Sequence, residues 1–86
     1  MEDSPLTFPC AHPLKLMGKN APEFRVAMET VIREQMGDGQ PTTVTTKTSS
    51  NGKFISLTCT VDATSRDQLD QLYRALHATG LVLMAL

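Results

Sequence analysis

The segment TTVTTKTSSNGKFISLTCTVDA, residues 42–63, places two β-rich runs on either side of Asn51-Gly52. Asn-Gly is the dipeptide most typical of a two-residue type I′ hairpin, because both central residues of that turn take positive φ. With Ser50 facing Lys53, Val44 falls opposite Cys59, Thr46 opposite Leu57 and Thr48 opposite Ile55. Successive side chains of a strand point to opposite faces, so Ile55, Leu57, Cys59 and Val61 share one side and must be core. The other side pairs Phe54, Ser56, Thr58 and Thr60 with Ser49, Lys47, Thr45 and Thr43, and reads as a solvated lattice. The hairpin is therefore half buried, and something apolar has to cover one of its faces.

Two stretches have the right periodicity for that cover. Residues 20–36 carry Phe24, Ala27, Met28, Val31 and Ile32 at helical spacing, with Arg25, Glu29 and Arg33 on the opposite side. Asn20 is the expected N-cap, Glu23 its capping-box partner, and Pro22 sits in the first turn; Gly37, Gly39 and Pro41 end the helix. A second helix starts at Thr64-Ser65, with Gln68 as capping partner and Asp67 in the first turn. Leu69, Leu72, Tyr73 and Leu76 form its stripe, Asp70 and Arg74 an exposed pair, and Gly80 its end.

Strands complete the pattern at both ends. Leu14 and Leu16 alternate with Lys15 and Met17 up to Gly18, while LVLMAL, residues 81–86, is apolar at every position and reads as a last strand. Its apolar run adds side chains to the open sheet face whichever way it is turned. Pro5, Pro9 and Pro13 make residues 1–12 an extended lead-in, leaving residues 13–86 as one domain. The order β-α-β-β-α-β predicts a ferredoxin-like α/β sandwich: a four-stranded antiparallel sheet with strands one and three central and both helices on one face.

The composition is that of an ordinary globular chain: 86 residues, 41% hydrophobic, 20% charged, net charge −1. Lysines and arginines occur singly, so no basic run tracks a phosphate backbone and nucleic acid is not an expected partner. No apolar stretch is long enough to cross a membrane or serve as a secretory leader, and the cytoplasm is the expected location. In that compartment Cys10 and Cys59 are expected to be reduced thiols.

The LTFPC lead-in, the KLMGKNAPEF corner, the TTKTSSNGKFISLT hairpin and the closing VLMAL together resemble the YbeD family of small bacterial proteins. That resemblance covers nearly the whole chain and implies an ACT-like fold, the ferredoxin-like unit that binds amino acids or other small effectors and regulates enzymes, often as a side-by-side dimer. In such domains effectors approach the glycine of the first strand–helix corner, the place Gly18 occupies here. The resemblance also implies a link to lipoate. The expected partners are thus a small effector, an amino acid or a lipoate-like acid, together with a homodimer or an enzyme partner.

The corner Gly18-Lys19-Asn20 is the candidate ligand site. Glycine permits close backbone approach, and a helix N-terminus beside Lys19 suits a carboxylate. The same residues also compose an ordinary capped turn, since Asn20 takes one donor, Pro22 has none and Glu23 brings a negative charge. Lys15, Met17 and Phe54 are candidate interface residues on the open sheet face. Other chemistries find less support. Phe54 alone is too few aromatics for an RNA-stacking sheet; Cys10 and His12 are too few ligands for zinc; and the corner lacks the arginine on which acylphosphatases of this fold depend. No catalytic residues, metal or cofactor are therefore expected, and the chain reads as a non-enzymatic ligand-binding or regulatory domain, or else as an adaptor that docks through its open face.

Overall fold

The computed structural model describes residues 7–86; the first half of the expected lead-in, with Pro5, lies outside the described residues. The elements run β1 (Cys10–Lys19), α1 (Pro22–Met36), β2 (Thr43–Thr48), β3 (Phe54–Ala63), α2 (Arg66–Ala78) and β4 (Met84–Ala85). They form one sheet in the order β2-β3-β1-β4, antiparallel throughout. This is the ferredoxin-like arrangement, with β1 and β3 central.

The hairpin keeps the expected register: Val44 pairs with Cys59, Thr46 with Leu57 and Thr48 with Ile55. Its parity sorts the whole sheet. Leu57, Cys59, Val61 and Ala63 of β3 and Leu14 and Leu16 of β1 are fully buried, with Ile55 half-buried beside them. Phe24, Met28 and Ile32 of α1 and Leu69, Leu72 and Leu76 of α2 close over that face and complete the core. Burying such aliphatic side chains contributes roughly 1.5–3 kcal/mol each against water. Tyr73 and Val31 pack at its margin.

The turn itself differs from the expected type I′ form. Ser49 N–H donates to the Phe54 carbonyl at 2.8 Å and Gly52 N–H to the Ser49 carbonyl at 2.9 Å, which leaves residues 50–53 as a four-residue loop. Gly52 alone has positive φ, 73°, whereas a type I′ turn needs Asn51 there too. Side chains explain the choice. The Asn51 amide oxygen accepts from the Ser49 hydroxyl at 2.8 Å and from Lys53 N–H at 3.0 Å, while the Ser49 Oγ accepts from Phe54 N–H at 3.1 Å. Such local bonds compete with the ladder and lengthen the loop.

Three further boundaries depart from the sequence pattern. The strand β1 starts at Cys10, ahead of Pro13, with Cys10 opposite Ala63 and His12 opposite Val61. Pro13 lies on the β4-facing edge of β1, since the odd residues of β1 turn their backbone groups toward β4, and the bonds between the two strands run from Met17 to Lys15 without involving it. Helix α1 begins from Ala21, with φ −141° and no side-chain cap, since Asn20 is engaged by the hairpin loop. Strand β4 is short, and by its pairing Ala85 turns to the core while Met84 and Leu86 turn to the open face, giving that face two apolar side chains from this strand.

The start of α2 and one of the two expected exposed pairs are as the pattern requires. Ser65 caps α2 by accepting from Gln68 N–H at 3.1 Å, and Gln68 reaches back to Thr64 N–H at 2.7 Å. Arg25 and Glu29 pair at 3.0 Å on the outer side of α1, whereas Asp70 and Arg74 do not come within ion-pair distance. Among the described residues no helix is long and apolar enough to cross a membrane.

Candidate functional site

The β1–α1 corner is built by a close contact. Gly18 is buried, and a Cβ there would run into the Phe24 ring and lie 2.6 Å from the Leu81 carbonyl oxygen. The glycine thus serves the approach of α1 and of the segment leading into β4. Lys19, next along, is exposed. Asn20 is spent on the hairpin loop: its amide donates to the Gly52 carbonyl at 2.9 Å and its N–H to the Lys53 carbonyl at 2.9 Å. At the helix start, Pro22 has no donor and Phe24 N–H already bonds the Ala21 carbonyl at 3.0 Å. Of the three corner residues, Lys19 alone faces a cavity.

That cavity is a cleft of about 340 Å³ between the start of α1 and the segment after α2, lined by Lys19, Ala21, Glu23, Phe24, Gly80, Leu81 and Leu83. Its volume falls at the small end of the roughly 300–1,000 Å³ usual for small-molecule sites. The walls are mostly apolar, and Lys19 and Glu23 are its two charged residues, one of each sign. Leu83 is 60% exposed, a large aliphatic surface left at the rim. The pairing of β4 with β1 positions this side of the cleft, with Leu83 N–H donating to the Met17 carbonyl at 2.8 Å.

The open sheet face gathers the second set. Lys15, Met17 and Phe54 all lie on it, in successive rows: Phe54 opposite Lys19, Met17 opposite Ser56, and Lys15 opposite Thr58. Met84 stands beside Met17 and Leu86 beside Lys15. A depression of about 140 Å³ lies between Met17, Lys47, Phe54 and Ser56. Toward the far end Gln40 holds Asp62 in place, donating to its carboxylate at 3.1 Å and accepting from its N–H at 2.9 Å.

On the covered side, His12 and Tyr73 meet at the margin of the core, with Cys59 near Tyr73. His12 Nε2 lies 3.2 Å from the Tyr73 hydroxyl, with the rings edge to face. Burial pushes the Cys59 thiol up to about 11, with Glu29 adding to the effect, so it is a packed thiol with little nucleophilic character. Burial also raises the Tyr73 phenol, and the Cys59 sulfur adds to that. Both cysteines are free, and among the described residues no three ligating side chains come together.

Burial lowers the pKa of His12, and the nearby Arg66 charge lowers it further. The unfolded chain then takes up this proton first as the pH falls. The His12 contribution to stability is accordingly complete above the ordinary value of about 6.5 and is lost as the pH drops through 6.5 toward the lowered folded value. Thermal midpoints of the protein and of His12→Phe should diverge on acidification below about 6.5, the parent losing a few degrees more. Parallel acid profiles would show that the imidazole makes no such contribution.

Of the corner residues expected from the sequence Lys19 lines the cleft, whereas Gly80, Leu81 and Leu83 were not among the candidates and Phe24 was counted as core alone. The one available signal was the absence of period in residues 81–86, which announces side chains left over on more than one face.

A family profile described as "Protein of unknown function (DUF493)" matches residues 3–86. The chain is 42% identical over 85 residues to a UPF0250 protein of Nitrosomonas europaea, covering 99% of this chain and 98% of that one. It is 43% identical over 86 residues to a UPF0250 protein of Paraburkholderia phytofirmans, covering 100% and 97%. Among solved structures, the solution structure of protein HP0495 from H. pylori superposes with a TM-score of 0.70 over 99% of this chain and 89% of that one, at 14% identity. The latter similarity concerns the fold.

Proposed function

The chain belongs to the family described as proteins of unknown function DUF493, the UPF0250 or YbeD proteins, and from its geometry we propose that it is a non-enzymatic cytoplasmic domain that binds a small amino acid in the cleft beside Lys19. The carrying observation is the pairing of opposite charges, Lys19 and Glu23, on the rim of an apolar cleft of about 340 Å³. A zwitterion matches both: its carboxylate meets the Lys19 ammonium, its ammonium meets the Glu23 carboxylate, and an aliphatic side chain lies against Phe24, Leu81 and Leu83. A lipoate-like acid would use Lys19 and the apolar wall but leave Glu23 facing it unpaired, which is the weaker match.

What the cleft joins supports a regulatory reading. Its two walls belong to elements far apart in the chain, the β1–α1 corner and the lead into β4, so an occupant ties them together and stabilises the fold by mass action. Support for a non-enzymatic reading comes from the nucleophile and base candidates: Cys59 is packed in the core with its thiol pushed up to about 11, and His12 pairs with Tyr73.

Titration of the isotope-labelled protein with leucine, methionine, phenylalanine and lipoate tests this. Saturable amide shifts are expected at Lys19, Ala21, Glu23 and Leu81 with one of the amino acids. Lys19→Met should weaken that binding about tenfold or more, and Glu23→Gln should weaken amino acids while sparing lipoate. Amides that stay still with every compound would remove the proposal; a response to lipoate alone that Glu23→Gln leaves untouched would replace the amino acid by a simple acid.

A further inference from the structure

Lysines and arginines, scattered singly along the sequence, are separated by the fold. All four lysines, Lys15, Lys19, Lys47 and Lys53, belong to the sheet strands or the hairpin loop, while all four arginines, Arg25, Arg33, Arg66 and Arg74, lie on the helices. The acids segregate the other way. Among the described residues Glu23, Glu29, Glu34, Asp67 and Asp70 lie on the helices and Asp38 directly after α1, leaving Asp62 as the one acid on the sheet, already held by Gln40.

By the strand pairing, Lys15, Lys19 and Lys47 point to the open face, and all three are exposed. They surround the apolar side chains Met17, Phe54, Met84 and Leu86, of which Met84 is 51% and Leu86 65% exposed. Beside Phe54 lies the open depression of about 140 Å³. The face therefore has an apolar centre, a depression beside Phe54, and lysines around it, with Asp62 at the far end of the face.

We infer that the open sheet face docks an acidic amphipathic segment of a partner protein, with apolar residues on Met17, Phe54, Met84 and Leu86 and carboxylates on Lys15 and Lys47. Three alternatives fit less well. A second copy brought face to face by a twofold axis would set lysine against lysine, because such an interface is built from the same patch twice. Nucleic acid would find no arginine and one aromatic ring, too little to read or stack bases. An anionic membrane answers to the lysines but gives no use to the depression beside Phe54. The inference does not use the cleft: it places carboxylates on Lys15 and Lys47, whereas Lys19, at the end of β1, also lines the cleft.

Selection of a random linear peptide library on the folded protein tests it. Enriched sequences should interleave Asp or Glu with Leu, Met or Phe, and a synthetic copy should shift the amides of Met17, Phe54, Ser56 and Met84. Binding should fall about tenfold or more in Lys15→Glu/Lys47→Glu, two exposed positions whose reversal is checked for an unchanged thermal midpoint. Met84→Asp provides a second variant with intact lysines and should weaken binding to a similar degree. Neutral or basic enriched sequences, shifts confined to the helices, or affinity indifferent to both variants would overturn the inference. So would failure of acidic peptides to bind while single-stranded RNA or phosphatidylglycerol vesicles do, or dimerisation that Met84→Asp abolishes.

Discussion

Gly18→Ala is expected to destabilise the protein by about 3 kcal/mol, at the upper end of overpacking costs, and to lower its thermal midpoint by roughly 15 °C. The added methyl meets two different obstacles. One is the Phe24 ring, the aromatic side chain in the core, and the other is the Leu81 carbonyl oxygen, 2.6 Å from the new carbon. A side chain can swing aside at modest cost, but the carbonyl moves only with the backbone that leads into β4. Pairing Gly18→Ala with Phe24→Leu should for that reason recover only part of the loss, about 1 kcal/mol in a double-mutant cycle. Calorimetry of the four proteins decides it. A Gly18→Ala protein melting with its parent would mean that the corner is not packed as described.

The second large effect separates the two faces of the sheet at adjacent positions. Leu57 is fully buried on β3 between Leu16 and Thr46, and Thr58, its neighbour, is exposed on the open face between Lys15 and Thr45. Leu57→Asp places a carboxylate in the core with no partner, a cost of several kcal/mol even after it takes up a proton. The whole stability expected for 86 residues is about 4 to 13 kcal/mol, so the variant should be unfolded or nearly so at room temperature. Thr58→Asp should stay folded and lose no more than about 1 kcal/mol of strand propensity, with Lys15 beside it to offset the charge. Circular dichroism and amide dispersion distinguish the two outcomes. Equal tolerance at both positions would contradict the burial of this face.

Period-2 parity was readable because burial on one face leaves no freedom in register: a slip of one residue would send Leu57 and Cys59 to water. The helices were readable for the same kind of reason, through Phe24, Met28 and Ile32 on one and Leu69, Leu72 and Leu76 on the other. Two of the misreadings involve partners distant in sequence, and the third a local side-chain competition. Asn20 has every property of a cap, yet the hairpin loop offers it the Gly52 and Lys53 carbonyls, which no local rule contains. Pro13 argues against a central strand until one knows where β4 stops. Asn51-Gly52 suggests the tightest turn, and the Ser49 hydroxyl and Asn51 amide together choose a looser one.

The candidate sites were less legible than the fold. Lys15, Met17 and Phe54 fell on the open face as parity required, because that assignment needs nothing beyond the strand period. The cleft did not, since Leu81 and Leu83 reach Lys19 and Phe24 only through the pairing of the last strand with the first, and an unbroken apolar run fixes neither its length nor its sides. The lysine border was invisible for a related reason: isolated lysines form a patch only when the sheet sets β1 and β2 on either side of β3, with the hairpin loop at their end.

The strand order β2-β3-β1-β4 also has a meaning in time. Translation makes β1 early, but its two neighbours arrive late, β3 after a helix and a strand have intervened and β4 with residues 83–86. Until then the nascent Leu14–Leu16 stretch has its hydrogen-bonding groups exposed on both edges, a condition that invites pairing with other chains. The central strand β1 is therefore the one that waits longest to be flanked on both sides, and a pause in synthesis between β1 and β3 would prolong the period in which its edges are most exposed to aggregation.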